Sequence, residues 1–165
     1  TPLLLLWRGI GRYVVENPEC TGLFGPVSIS NEYRDLSRRL MVSYLTETRL
    51  APDLARLCRA RNPLKRKNVA PDLHLAASGD IDSISEMISA IEGEPRGVPV
   101  LVRQYLKLGA RFLGFNVDRD FGNALDGLLY VDLTRTSARI LERYMGKEEA
   151  AAYLARHKGQ VIPAA

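Results

Sequence analysis

The stretch GARFLGFNVDRDFGNALDGLLYVDL, residues 109–133, decides the fold. Within it RFLGFNV (111–117) and GLLYVDL (127–133) have the length and the aromatic and aliphatic content of strands. The roughly eight residues between them suit a hairpin with a long loop. That loop carries Asp118, Asp120, Asn123 and Asp126, whose oxygens either bind a ligand or only turn the chain. A calcium hand loop fails on spacing, because Gly122 falls one position early and Leu128 stands where the bidentate Glu is needed. The letters Asp120-Phe121-Gly122 match a kinase magnesium motif, but its companion motifs are missing. The reading is a turn connector, in which Asp, Asn and Gly tolerate positive φ and bond their own backbone, with closure over a substrate as the alternative.

Elements alternate on either side. GLFGPVSIS (22–30) is an apolar run bounded by glycine and Asn31, read as a buried strand. From Asp35 to Thr48, Leu36, Leu40, Met41 and Tyr44 fall at helical spacing, with Arg34, Arg38 and Arg39 off that stripe. Ile81, Ile84, Ile88 and Ile91 mark another helix, with Asp80 or Ser83 as cap, Glu86 completing Ser-x-x-Glu, and Gly93 past its end. VLVRQYLKLGA predicts a helix with Pro99 at its first turn and Gly109 at its stop. Two short amphipathic helices close the chain, TSARILERYMG and KEEAAAYLARHKG. The chain opens on a helix, with Leu3, Leu6, Trp7, Ile10 and Val14 on one face, Thr1 as N-cap and Pro2 in the first turn. Gly9 and Gly11 disfavour a helix interior, so they imply close packing there. A chain that opens on a helix without Met predicts a processed polypeptide or a fragment. Helix, strand, helices, strand, strand, helices is an α/β layered order with at least three strands, read as a single domain over 1–165.

Composition narrows the function. The chain has 165 residues, 46% of them hydrophobic and 25% charged, with a formal net charge of +4, enough for one globular core. The apolar run in front of Trp7 is far short of the roughly 20 residues of a membrane span, and a cytoplasmic location is the expectation. Cys20 and Cys58 lack the spacing of a zinc site or a disulfide framework. His74 and His157 have no acidic partner at catalytic spacing, and no Gly-x-Ser-x-Gly elbow, phosphate loop or dinucleotide fingerprint occurs. Arg56, Arg59, Arg61, Lys65, Arg66 and Lys67 form a basic run that is either a solvated loop or a surface for nucleic acid, anionic lipid or an acidic carrier protein. It lacks the interleaved aromatics of single-strand binders, so nucleic acid is not expected.

LLLLWRGIGRYV, LFGPVSISNEY, PVLVRQYLKLGARFLGFNVDRDFGNALDGLLYVDLTRT and RYMG together resemble the C-terminal part of the bacterial family labelled "hemolysin". That family is similar to ornithine-lipid (ornithine–acyl carrier protein) N-acyltransferases and, more distantly, to acyl-homoserine-lactone synthases of the GNAT acyltransferase superfamily. Nothing in the composition suits a secreted toxin. The resemblance covers residues 1–50 and 97–146, which leaves 51–96 as an insertion and 137–158 as C-terminal helices. It implies a mixed sheet that binds an acyl thioester, of acyl carrier protein or coenzyme A, in the splay between the family's fourth and fifth strands. GLFGPVSIS would be the fifth strand, and the hairpin the sixth and seventh. Thr1 and Leu3 would begin the helix whose amides face the thioester's phosphate, while Ser28, Ser30 and Asn31 would line the pantetheine tunnel or the amine pocket.

The implied activity is transfer of a fatty acyl group to an amine of an amino acid or lipid precursor, with the acyl thioester as co-substrate and no tightly bound cofactor or metal. The expected partners are an acidic acyl carrier protein, docking on Arg56–Lys67 and Arg34–Arg39, and, from the basic run alone, a membrane surface meeting Arg56, Arg59, Arg61, Lys65, Arg66 and Lys67, with peripheral attachment to the inner membrane. The family's Glu-Leu-Gly-Arg stretch, fourth strand and phosphate turn have no counterpart here, and RQYLKLGA has its glycine at the wrong offset. The catalytic acid/base is therefore unassigned. A non-catalytic interaction module is the competing reading, with a nucleic-acid-binding domain, suited to the net charge and the 56–67 run, behind it.

Overall fold

The computed structural model describes residues 2–64 and 80–158. The Thr1 cap, Lys65, Arg66, Lys67 and His74 lie outside the described residues. Helices α1 (Pro2–Glu16), α2 (Asp35–Arg49), α3 (Pro52–Ala55), α4 (Ile81–Glu92), α5 (Val100–Lys107), α6 (Ala138–Met145) and α7 (Lys147–Arg156) accompany strands β1 (Gly22–Ile29), β2 (Arg111–Asp118) and β3 (Ala124–Asp132). The fold is α+β, and no helix among the described residues is long and apolar enough to cross a membrane.

The sheet has the order β1-β3-β2, with both pairings antiparallel. β1 and β2 are therefore parallel to each other but never touch, because β3 lies between them. The mixed sheet that the resemblance implies is thus, among the described residues, an antiparallel sheet with one parallel bridge, Leu50 to Phe112. The hairpin connector is also shorter than the sequence predicts. β3 starts at Ala124, which leaves 119–123 as the turn and puts Asp126 inside the strand. A register shift between Phe112 and Gly114 marks a bulge, so Phe112 and Phe115 both fall on the core side, stacked at 5.4 Å and 12° over Gly127.

One sheet face makes the core. Odd-numbered β1 and β3 residues (Val27, Ile29, Leu125, Leu129, Val131) are buried against Leu40, Met41 and Leu45 of α2, Ile84 and Ile88 of α4 and Val102 of α5. The 51–96 segment, expected as an insertion, therefore supplies part of this core. The α4 stripe is as predicted: Ile84 and Ile88 are fully buried and Ile81 and Ile91 flank them. Its cap is Asp80, which accepts from the N–H groups of Asp82 and Ser83, and those bonds hold its carboxyl below the usual range. Ser83 then stands at the third helical position, so the Ser83–Glu86 box does not form. Gly93, at φ 75°, stops the helix.

α1 turns a narrower face inward than its pattern suggests. Trp7, Gly11 and Val14 are buried, whereas Leu6 is 61% exposed. Trp7 sits against Tyr105 and Tyr144, with ring centroids 5.4 and 5.5 Å away. A Cβ on Gly11 would lie 2.6 Å from the Tyr144 carbonyl oxygen, so this glycine lets α1 meet α6 backbone to backbone; Gly9 faces open space and has no such role. The C-terminal helix is stapled to the α1–β1 turn. The Tyr153 hydroxyl donates to the Cys20 carbonyl at 2.8 Å, and His157 Nε2 lies 2.7 Å from the Pro18 carbonyl, which requires the proton on that nitrogen.

Two stability tests follow from these contacts. Gly11→Ala drives a methyl into backbone and should lower stability by roughly 1–3 kcal/mol, whereas Gly9→Ala should raise it by up to about 1 kcal/mol. Denaturant midpoints read both, and equal effects would contradict the α1–α6 contact. Burial pushes the Tyr153 phenol from 10.0 up to about 12. The neutral phenol is thus the form the fold favours, and its stabilising share is complete below pH 10 and lost as pH rises from 10 towards about 12. Tyr153→Phe should cost about 1–2 kcal/mol at neutral pH and flatten the decline over that alkaline range.

Candidate functional site

Among the described residues, helices cover one face of the sheet and leave the other largely open. The even-numbered residues face that open side: Phe24, Pro26 and Ser28 of β1 lie opposite Tyr130, Leu128 and Asp126 of β3. GLFGPVSIS is therefore buried on one face only, a correction to the buried-strand reading. The alternation of Val27 and Ile29 with exposed neighbours, together with an internal proline, was the available signal.

The outer edge of β1 pairs with no strand among the described residues. Antiparallel ladders alternate hydrogen-bonded and non-bonded pairs. The phase is fixed by Leu133, whose N–H donates to the Thr21 carbonyl at 2.9 Å in the same register, and by Val117, whose N–H points away from β3 to the Asn62 carbonyl at 2.8 Å. Odd positions of β1 thus bond to β3, and the even positions direct their main-chain groups to the free edge. Phe24 and Ser28 offer N–H donors there, and Pro26 between them offers only a carbonyl. Any strand laid along this edge meets a missing donor at its middle.

Ser28, Ser30 and Asn31 are brought together at the exit of β1. Ser28 Oγ donates to Asp126 Oδ1 at 2.6 Å. Ser30 Oγ accepts from the Glu32 N–H at 3.2 Å and shapes the turn into α2, and Asn31 Nδ2 donates to the Gly122 carbonyl. Asn31 thereby ties the β1 exit to the hairpin turn, where Gly122 and Asn123 sit at φ 60° and 58°. Asp118 Oδ1 accepts from the N–H groups of Asp120 and Phe121, so it does turn the chain. Leu3 is half-buried in α1 and packs on the core, and Pro2 before it has no N–H to give. Among the described residues no three His, Cys, Asp or Glu side chains gather as a metal site.

The basic residues divide into two groups. Of those at 34–39, Arg38 reaches the Asn123 carbonyl at 3.4 Å and Arg39 pairs with Asp35 at 2.7 Å, while Arg34 has an exposed side chain and donates its backbone N–H to Glu92 at 3.0 Å. Glu92 is held below the usual carboxylate range, first by the Ser37 hydroxyl buried beside it, which stops short of hydrogen-bond geometry, and then by the Arg34 N–H. Arg96 lies 4.9 Å over the Tyr33 ring and bonds Glu32 at 2.7 Å, locking the loop before α5 onto the same turn. Arg59 and Arg61 instead stand over the open sheet face. With Cys58 and Ala60 they wall a cleft of about 280 Å³ floored by Pro26, Leu128 and Gly114, with Asn116 and Asp126 at its polar side. The sequence shows the charges but not this cleft, because the bend that brings 58–61 over the sheet depends on Asn62 and Pro63 pairing with β2.

Among the described residues, the fold and site define an α+β domain with an open sheet face and a free edge at β1. The chain matches no family model, no curated protein and no solved structure.

The edge geometry predicts that Pro26→Val, which adds an outward N–H, promotes edge-to-edge pairing. Light scattering across a concentration series should show self-association of this variant and not of Phe24→Val. A monomeric Pro26→Val would contradict the assigned phase.

Proposed function

We propose that this chain is the C-terminal part of a GNAT-like acyltransferase domain that moves a fatty acyl group from an acyl carrier protein or coenzyme A thioester to an amine. The observation that carries the reading is the free edge of β1, interrupted at Pro26. The resemblance puts the thioester between this strand and a fourth strand beyond it. A neighbour strand that loses its partner donor at Pro26 pairs weakly there, and a splay at that point admits an extended amide-containing arm. The outward N–H of Ser28 is then a donor of the kind that stabilises a thioester oxyanion, provided the carbonyl comes within about 3 Å of it. The order of helix, strand, helix and terminal hairpin also follows the order of the family's elements.

Of the residues expected to bind the thioester, Ser28 fits the role best, with its amide on the edge and its hydroxyl on the open face. Ser30 and Asn31 support it by holding the strand exit and the hairpin in place. The general base is unassigned. The exposed side chains of Phe24 and Leu57, 82% and 74% accessible, favour the interaction-module reading as the second choice.

The test is acyl transfer from long-chain acyl carrier protein and acyl-coenzyme A thioesters to small amines and amino acids, by the native polypeptide that carries this chain. Turnover with one of the two donors is the expected result. A polypeptide that neither turns over nor binds either thioester would overturn the proposal and leave the interaction module.

A further inference from the structure

We propose that the open face of the sheet docks on an anionic lipid bilayer, with Phe24 and Leu57 entering the headgroup region and Arg59 and Arg61 holding lipid phosphates. This does not rest on the acyltransferase reading. Three observations carry it. Phe24 and Leu57 are two of the most exposed large apolar side chains among the described residues. Phe24 shares the open face with Pro26, which lines the cleft two positions on, and Leu57 directly precedes Cys58, which lines it as well.

Arg59 and Arg61 line that cleft and form no ion pair among the described residues, while Arg56 has only a 4.0 Å contact with Asp53. The single carboxylate at the cleft, Asp126, is turned to the Ser28 hydroxyl. Cations that form no ion pair among the described residues, beside exposed apolar groups, match a surface that is negative outside and apolar just beneath. The floor of Pro26 and Leu128 adds to that apolar character. A bilayer offers both characters in one partner, phosphates for the arginines and an apolar layer beneath them for Phe24 and Leu57.

Co-sedimentation with vesicles tests this, using phosphatidylcholine alone and phosphatidylcholine with about one third phosphatidylglycerol. The chain should bind the anionic vesicles at least about tenfold better, and added salt should weaken binding. Phe24→Ser with Leu57→Ser, and separately Arg59→Glu with Arg61→Glu, should each weaken binding by about tenfold or more. All four side chains are exposed, and an unchanged thermal melt verifies that the variants fold. In a Cys20→Ser background, an environment-sensitive dye on exposed Cys58 should shift to the blue with anionic vesicles only. Equal binding to both vesicle types, or none, would overturn the proposal. Loss on charge reversal with no effect of the two serine substitutions would also overturn it, by showing electrostatic adsorption without apolar anchors.

Discussion

The position of β3 between β1 and β2 is the constraint on which the rest depends. One strand satisfies the inner edges of both neighbours, so the hairpin and the crossover from β1 to β2 must close in a single register. That register sends Val27, Ile29, Leu125 and Leu129 to one face, where α2, α4 and α5 bury them. It sends Phe24, Pro26, Ser28, Asp126 and Leu128 to the other. A slip of one residue would exchange the two sets and place Asp126 in the core. The bulge at Phe112–Gly114 is the local adjustment that keeps both Phe112 and Phe115 over Gly127.

Much of this was legible in the sequence because periodicity reports burial directly. The isoleucines of α4, the stop at Gly93 and the two hairpin strands follow from spacing alone. What escaped were features set by non-local pairing. The central place of β3 cannot be read from the order of the strands, and neither can the edge position of β1. The loop oxygens were divided only once β3 was seen to start at Ala124: Asp118 bonds the turn, and Asp126 joins the strand and meets Ser28. Leu6 shows the limit of a helical stripe, since a contact as close as Gly11 on Tyr144 rotates α1 and leaves the leucine in solvent.

For the site, the sequence named residue types, and the structure adds the contacts that each of them makes. Ser28, Ser30 and Asn31 do come together, but two of the three hold a turn and a hairpin, and Leu3 is a packing residue. Arg38 and Arg39 make contacts within the fold, whereas Arg59 and Arg61 stand over the cleft. Pro26, which defines what the free edge can accept, is informative only when the direction of its missing N–H is known. Edge and open face are distinct surfaces of one strand, the first in the plane of the sheet and the second above it. One strand can therefore serve a ligand at its edge and a lipid surface on its face.

The most direct test of this arrangement is residue-resolved amide hydrogen exchange along β1. The account predicts alternation, with Leu23, Gly25, Val27 and Ile29 protected by their bonds to β3 and Phe24 and Ser28 exchanging quickly from the free edge. Uniform protection along the strand, or protection of Phe24 and Ser28 in place of their odd-numbered neighbours, would contradict it.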